Sequence, residues 1–347
     1  MARFQFITHS PHISVIIVNY NGGDWLQRSV DSVAAQSFTD FECFIVDNAS
    51  EDESIKALKI PDERFTVIEQ PTNTGFAAGN NHAAKLARGD WIALLNPDAF
   101  AAPDWLEQMI AVTEHPNVAM VGCLQRMALE PDILDGAGDC YHASGLAWRA
   151  KFGHKESEPL GTYEVFAPCG AAALYKAGMF HTVGGFDERF FCYHEDVDIG
   201  FRLRLAGGRC IQTSNAIVDH VSSGISGRAS DFAVYYGTRN RIWTFFKNMP
   251  LPLLIILAPA HIALNLAVLM WSFIRIKRFR PTLKGVAHGF VGLRPILKSR
   301  ADIKSYKKAS SRDILKQLAW SPLTVLRRDL HHGLYISNPT HDKNAKS

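Results

Sequence analysis

The sequence contains no C-x-x-C pair. Its six cysteines stand apart at Cys43, Cys123, Cys140, Cys169, Cys192 and Cys210, a spacing that excludes a zinc ribbon and offers no disulfide framework, so a reducing compartment is expected. There is no G-x-G-x-x-G between the first strand and first helix and no G-x-x-x-x-G-K-[ST] anywhere, which disfavours dinucleotide-dependent dehydrogenases and P-loop enzymes. No long apolar run occurs within Met1 to His12, so a cleaved signal peptide is not expected. Internal repeats are absent. An apolar fraction of 47% with 20% charged residues over 347 positions excludes a disordered chain and leaves room for a large α/β domain with an appendage. Acidic residues become scarce towards the end: from Arg275 onward 17 Lys/Arg stand against 4 Asp/Glu, a net +13, whereas residues 1–274 carry 20 against 30, a net −10. A tail this basic suits a polyanion, either nucleic acid or an anionic membrane face.

What is present between these two parts favours lipid. Residues 251–274 (LPLLIILAPAHIALNLAVLMWSFI) carry no formal charge and are long enough for ~30 Å of hydrocarbon. Trp271 sits near the end, and Arg275, Lys277, Arg278 and Arg280 follow at once, like an interfacial belt. Pro252, Pro259, His261 and Asn265 interrupt the run, and a buried core helix is the alternative. Nucleic-acid binding is not expected.

The remainder alternates strand and helix. Residues 13–18 (ISVIIV) read as a strand buried on both faces, and a helix capped by Asp24 runs to about Gln36. Strands follow at 43–46, 65–68 and 91–95, with helices at about 50–59 and 76–87 and a further helix opened by Pro103. The alternation predicts an α/β fold with a doubly wound, mainly parallel sheet flanked by helices, whose ligands bind beyond the carboxyl ends of the strands. The loops at Asn19, Asp47 and Asn96 lie at that edge. Residues 123–165, rich in glycine, read as a long irregular segment over the site. A helix near 171–180, a turn at Gly184-Gly185, a helix from about Glu195 to Ala206 capped by Gly207-Gly208, and a short strand at Ile217-Val218 complete the pattern.

Several residue types at these places can do chemistry. Asp47 ends one strand and Asp98 follows another, although a lone Asp after a strand is also an ordinary turn or N-cap residue. Glu195-Asp196-x-Asp198 sets carboxylates at a helix start, where the dipole tolerates them. His220 lies just beyond the last strand. Acids with one His and no Cys cluster suit Mg²⁺ or Mn²⁺ better than zinc.

Six motifs occur in order: Val15-Ile16-Ile17-Val18-Asn19-Tyr20-Asn21, Val46-Asp47-Asn48-Ala49-Ser50, Asn73-x-Gly75-Phe76-Ala77-x-Gly79-Asn80-Asn81, Leu95-Asn96-Pro97-Asp98, Gly184-Gly185-Phe186-Asp187-Glu188 and His194-Glu195-Asp196-Val197-Asp198-Ile199-Gly200-x-Arg202. Together, over about residues 12–248, they resemble the family 2 glycosyltransferases of the GT-A fold, especially the bacterial rhamnosyltransferase-like members. The resemblance implies an inverting transfer of a sugar from a nucleoside-diphosphate donor, with thymidine diphosphate-rhamnose the first guess, to a lipid-linked or cell-surface saccharide. It implies Tyr20 and Asp47 at the base, and Asn73, Gly75, Asn80 and Asn96 along the nucleotide and sugar. Asp98 and His220 would hold a Mg²⁺ or Mn²⁺ ion. Asp196 would be the general base, with Glu195 beside it, and Asp187 and Arg239 would face the acceptor. Asn48 and Asn96 replace two acids usual in the family, which leaves Asp98 with most of the charge at the cation site.

The implied organisation is a catalytic domain over 1–248, divided into a nucleotide half at about 12–122 and an acceptor half at about 123–248, then membrane-associated helices over 249–300 and a basic tail over 301–347. Because the catalytic part and the tail both belong on the cytoplasmic face of a bacterial inner membrane, a single crossing at 251–274 would separate them. An in-plane or re-entrant arrangement is therefore expected. Two further readings are a sugar-nucleotide pyrophosphorylase, disfavoured by the lack of Lys or Arg in Asn19–Gly23, and a non-catalytic membrane-bound sugar-binding scaffold.

Overall fold

The first strand is apolar but for Ser14 and Asn19 because both sheet faces are covered, and the computed structural model shows where the apolar side chains go. Ile13, Val15 and Ile17 enter one core with Leu26, Val30, Trp105 and Ile45. Ile16 and Val18 enter another with Val46, Phe180, Phe186 and Leu203. Burying each such aliphatic side chain is worth about 1.5–3 kcal/mol, so the strand is held from both sides. The structure describes residues 10–156, 160–222, 230–274 and 276–331. The expected interfacial Arg275 and the end of the basic tail from 332 lie outside the described residues.

The chain begins β1 (Ile13–Asn19), α1 (Gly23–Ala34), β2 (Phe41–Asp47), β3 (Phe65–Glu69), α2 (Gly75–Ala84), β4 (Trp91–Leu95), β5 (Ala99–Ala101) and α3 (Trp105–Ala111). It continues with β6 (Val118–Met127), β7 (Glu130–Gly136), β8 (Asp139–Tyr141), β9 (Ala147–Arg149), β10 (Thr162–Glu164), β11 (Ala172–Lys176), α4 (Ala177–Thr182), α5 (Glu195–Leu205) and β12 (Arg209–His220). The helices α6 (Asp231–Asn248), α7 (Leu251–Ile274), α8 (Ile276–Val291), α9 (Leu293–Tyr306), α10 (Ser311–Gln317) and α11 (Pro322–Arg327) follow.

The main sheet runs β10-β12-β6-β11-β4-β1-β2-β3, with β5 on β12 and β7 on β6. The side built from β4, β1, β2 and β3 is parallel, as the alternating pattern predicts. On the other side β12 runs parallel to β6, while β11 is antiparallel to both β4 and β6.

Three expectations are corrected. The helix expected near 50–59 is a series of turns, because Asp52 accepts hydrogen bonds from the Ser54 N–H and hydroxyl and from the Gly23 N–H, offering the backbone an alternative to the helix. The alanine-rich stretch expected as a helix at 171–180 begins as strand β11, since only a strand fills the gap between β4 and β6. The stretch expected to be irregular at 123–165 contains β7, β8, β9, β10 and the second half of β6.

Candidate active site

Strand register assembles the first group. The backbone turns at Asn96, whose carbonyl accepts from Ala99 N, and β5 then pairs antiparallel with β12, setting Ala99 opposite His220. Asp98 is thereby brought to His220, with Asp98 Oδ1 3.3 Å from His220 Nε2. The other ring nitrogen, Nδ1, lies 2.8 Å from Asp135 Oδ2, and Asn96 Nδ2 is 3.5 Å from Nε2. Burial alone would favour a neutral ring, but the hydrogen bonds and charges of Asp135 and Asp98 outweigh it and raise His220 above the ordinary imidazole value. Asp135 pairs with Arg149, whose guanidinium holds the Asp135 carboxylate well below its usual range despite burial.

The second group comes from the start of α5. Phe191, Tyr193 and His194 all have positive φ, at +65°, +69° and +67°. The bond from Cys192 N to Phe190 O, 2.8 Å, closes a tight turn at Phe191. After this contorted approach the helix begins at Glu195. Asp196 accepts from Gly170 N at 3.0 Å and from Val197 N at 2.8 Å, so its carboxylate is fixed at the helix start. Glu195 is buried, and burial together with the charge of Asp196 pushes its carboxyl well above the usual range. Asp198, the third acid of the motif, faces inward and bonds Arg202, Lys247 and Asn248 at 2.7–2.9 Å. It locks α5 onto α6.

Both groups line one cleft of about 880 Å³, shared with Tyr20, Asn73, Gly75 and Asn96. Gly75 has φ +86°, and a Cβ there would lie 2.6 Å from the Phe191 ring and carbonyl, so the tip of α2 can meet the Phe191 turn only without a side chain.

Four expected residues do not line the cleft. Asp47 lies beneath it, accepting from Asn19 and Ser50, and its neighbour Asn48 faces the cleft instead. The Asn80 amide turns back to the Phe76 carbonyl at 2.9 Å. Asp187 is taken up by Arg189 and Lys247. Arg239 stacks on Trp243, 4.1 Å from the ring centre, and donates to the Arg189 and Phe190 carbonyls. Each is satisfied within the protein, which physically explains its absence from the cleft wall.

Two charged residues in the cleft were not anticipated. Arg149, about a quarter exposed, presents a cation there. Asp139 is buried beside it, and burial with the charge of Asp196 pushes its carboxyl up to about 8, against the pull of Arg149. Both belong to the β8–β9 hairpin, whose three-residue strands leave no periodic signal; a lone Arg among glycines was the available clue.

The residues present fit a divalent cation. Asp98 would supply an oxygen and His220 a nitrogen, and the bond from His220 Nδ1 to Asp135 would be the outer contact that orients a ligating imidazole. Among the described residues no group of three or more His, Cys, Asp or Glu is arranged for a metal, so two protein ligands would share the ion with a bound substrate.

Comparison with known proteins accords with this geometry. Residues 14–184 match the model of glycosyl transferase family 2. The O-antigen biosynthesis protein RfbC of Myxococcus xanthus is 30% identical over 229 residues, covering 62% of this chain but only 18% of that protein's length. The N-acetylglucosaminyl-diphospho-decaprenol L-rhamnosyltransferase of Mycobacterium tuberculosis is 26% identical over 253 residues, covering 65% of this chain and 81% of the relative. Among solved structures, the mannosyltransferase PcManGT of Pyrobaculum calidifontis, in complex with GDP-Man and Mn²⁺, superposes with a TM-score of 0.54 at 18% identity and 86% coverage of both chains. Over residues 14–184 the chain is thus similar to glycosyl transferase family 2, and it has the GT-A fold.

Proposed function

We propose that the protein transfers a sugar from a nucleoside-diphosphate donor to a hydroxyl of a lipid-linked saccharide, with inversion at the anomeric carbon. The observation that carries this reading is that Asp98 with His220, and Asp196 with Glu195, line the same cleft. In this reading Tyr20, Asn73, Gly75 and Asn96 bind the nucleotide-sugar, and Asp47 acts from beneath by fixing Asn19 and the Ser50 turn. Asp98 and His220 would hold Mg²⁺ or Mn²⁺, which when bound offsets negative charge on a diphosphate. Arg149, bonded to the same Asp135 oxygen as His220, adds a fixed cation beside that site.

Asp196 is the general base. Its two backbone donors keep it aimed while it accepts the proton of the acceptor hydroxyl, an effect typically worth 10²–10⁴-fold. A single displacement needs no second carboxylate nucleophile. Glu195, whose carboxyl is pushed upward by burial and by the charge of Asp196, lies beside it. A rhamnosyl donor and a diphospho-polyprenol acceptor are the favoured pair because the Mycobacterium relative is named for that chemistry.

The test is Asp196→Asn with a panel of nucleotide-sugars and a polyprenyl-diphosphate saccharide. We expect turnover to fall at least about 10²-fold while donor binding, followed by thermal shift, persists. Wild-type turnover in that variant would remove Asp196 as the base, and retention of anomeric configuration in the product would defeat the single-displacement mechanism.

A further inference from the structure

The helix α7 has two unlike faces. Its inward face is polar in the middle: His261 Nδ1 lies 2.8 Å from the Ser144 carbonyl oxygen, and Asn265 Oδ1 accepts from Arg241 Nη2 at 2.7 Å. The His261 ring also stacks parallel on Phe245, centroids 4.0 Å apart. Its outward face is apolar and bare, with Ile255, Ile256, Leu266, Met270 and Phe273 between 55% and 72% exposed. Only 22% of its most apolar stretch is buried against the rest of the chain, so it is not the core helix of a soluble domain.

These contacts decide how such a helix can meet a bilayer. At 24 residues α7 is long enough to cross. Crossing would carry the Ser144 turn and the Arg241 guanidinium, both bonded to the middle of the helix, into the hydrocarbon, where a charge is expensive. Lying flat leaves those bonds intact and buries only the bare face. The adjoining helix supplies the matching electrostatics. Its glycine side is pressed on α6, where a Cβ at Gly289 would reach within 2.6 Å of Ile242. Its other side exposes Arg278, Arg280 and Lys284, and the whole of α8 contains no Asp or Glu. An apolar stripe flanked by cations and no anions fits an anionic lipid surface.

We propose that α7 and α8 form an in-plane docking surface for an anionic membrane leaflet, with the apolar face of α7 immersed to the acyl boundary and the cations of α8 at the headgroups. The surface stands on these contacts alone and does not depend on the sugar-transfer reading. It also has a route to the cleft: Ser144, held by His261, belongs to the turn of the β8–β9 hairpin that carries Asp139, Trp148 and Arg149 into the cleft wall.

The experiment is flotation of the full chain with phosphatidylcholine vesicles containing or lacking phosphatidylglycerol, with no sugar donor or acceptor present. Co-flotation is expected with the anionic vesicles. The Ile255→Glu/Ile256→Glu double variant should weaken it by about tenfold or more. Arg280→Glu/Lys284→Glu should weaken it only where phosphatidylglycerol is present. All four positions are exposed, so circular dichroism should be unchanged. In Ile256→Cys and Phe273→Cys chains carrying a fluorophore, depth-dependent quenching should place both ends at the same shallow depth. Equal flotation of all variants, a stable dimer that masks the apolar face, or labels at opposite leaflets would each overturn the proposal. Failure of flotation with donor binding intact would fault the surface and not the transferase reading.

Discussion

Asp139 shows what a single buried carboxyl does to the protein's response to pH. In the unfolded chain it would titrate near 3.8, but in the fold burial and the neighbouring Asp196 push it up to about 8. Between these values the folded state holds a proton that the unfolded state releases. Its contribution to stability is therefore complete below about pH 4 and is lost as pH rises towards 8, at up to about 1.4 kcal/mol per pH unit. Asp139→Asn keeps the shape of the neutral acid and removes the titration. The variant should gain stability on the wild type progressively from pH 5 to pH 8 in urea denaturation. A difference that stays flat over that range would show that Asp139 does not carry the proton. Asp98 and Asp196 could be nominated from sequence because each follows a strand or opens a helix within a recognisable motif, and His220 because the pattern sets it just past the last strand, of which it is the final residue. Asp139 and Arg149 could not, because what makes them unusual is that they sit opposite each other across a hairpin too short to announce itself.

At the scale of elements, the segment from Phe190 to His194 holds the site in shape at a cost. Three non-glycine residues with positive φ store of the order of 1–3 kcal/mol each. The offsetting contacts come from α6: the buried Asn240 amide donates to the Phe190, Cys192 and Tyr193 carbonyls at 2.7–3.0 Å, and Arg239 adds bonds to Arg189 and Phe190. Asn240 is thus a positioning residue for Asp196, which it does not touch. Asn240→Ala should lower kcat by about 10–10²-fold, because a displaced base loses its alignment, while thermal shift by the donor survives. A variant that turns over normally would show that the turn keeps its shape unaided. Sequence pattern found β1, β4, α5 and α7 within a residue or so, since each is long or uniformly apolar. It found only Ile217-Val218 of β12, because Gln212, Ser214 and Asn215 break the alternation where the pairing with β6 shifts register. The Asn240 brace is invisible to pattern, being one amide between two arginines of α6.

Across the whole molecule, the cleft is closed from two directions. Tyr20, Asn96 and Asp98 come from loops after β1 and β4 on the parallel side of the sheet, whereas Asp139, Arg149 and Asp196 come from the β8–β9 hairpin and α5. A ligand that touches both walls binds only the folded chain and so raises its stability, by about 2.7 kcal/mol at a hundredfold excess over Kd. If Asp98 and His220 share a divalent cation with the donor diphosphate, part of that gain must depend on the ion. Nucleotide-sugar with Mn²⁺ should then raise Tm more than nucleotide-sugar with a chelator. In Asp98→Asn the difference between the two conditions should vanish while the chelator-resistant part remains, because Tyr20, Asn73 and Arg149 are untouched. The amide still occupies the same volume, so loss of the whole shift would mean that Asp98 supports the cleft wall itself, and an unaltered Mn²⁺ increment would place the ion elsewhere.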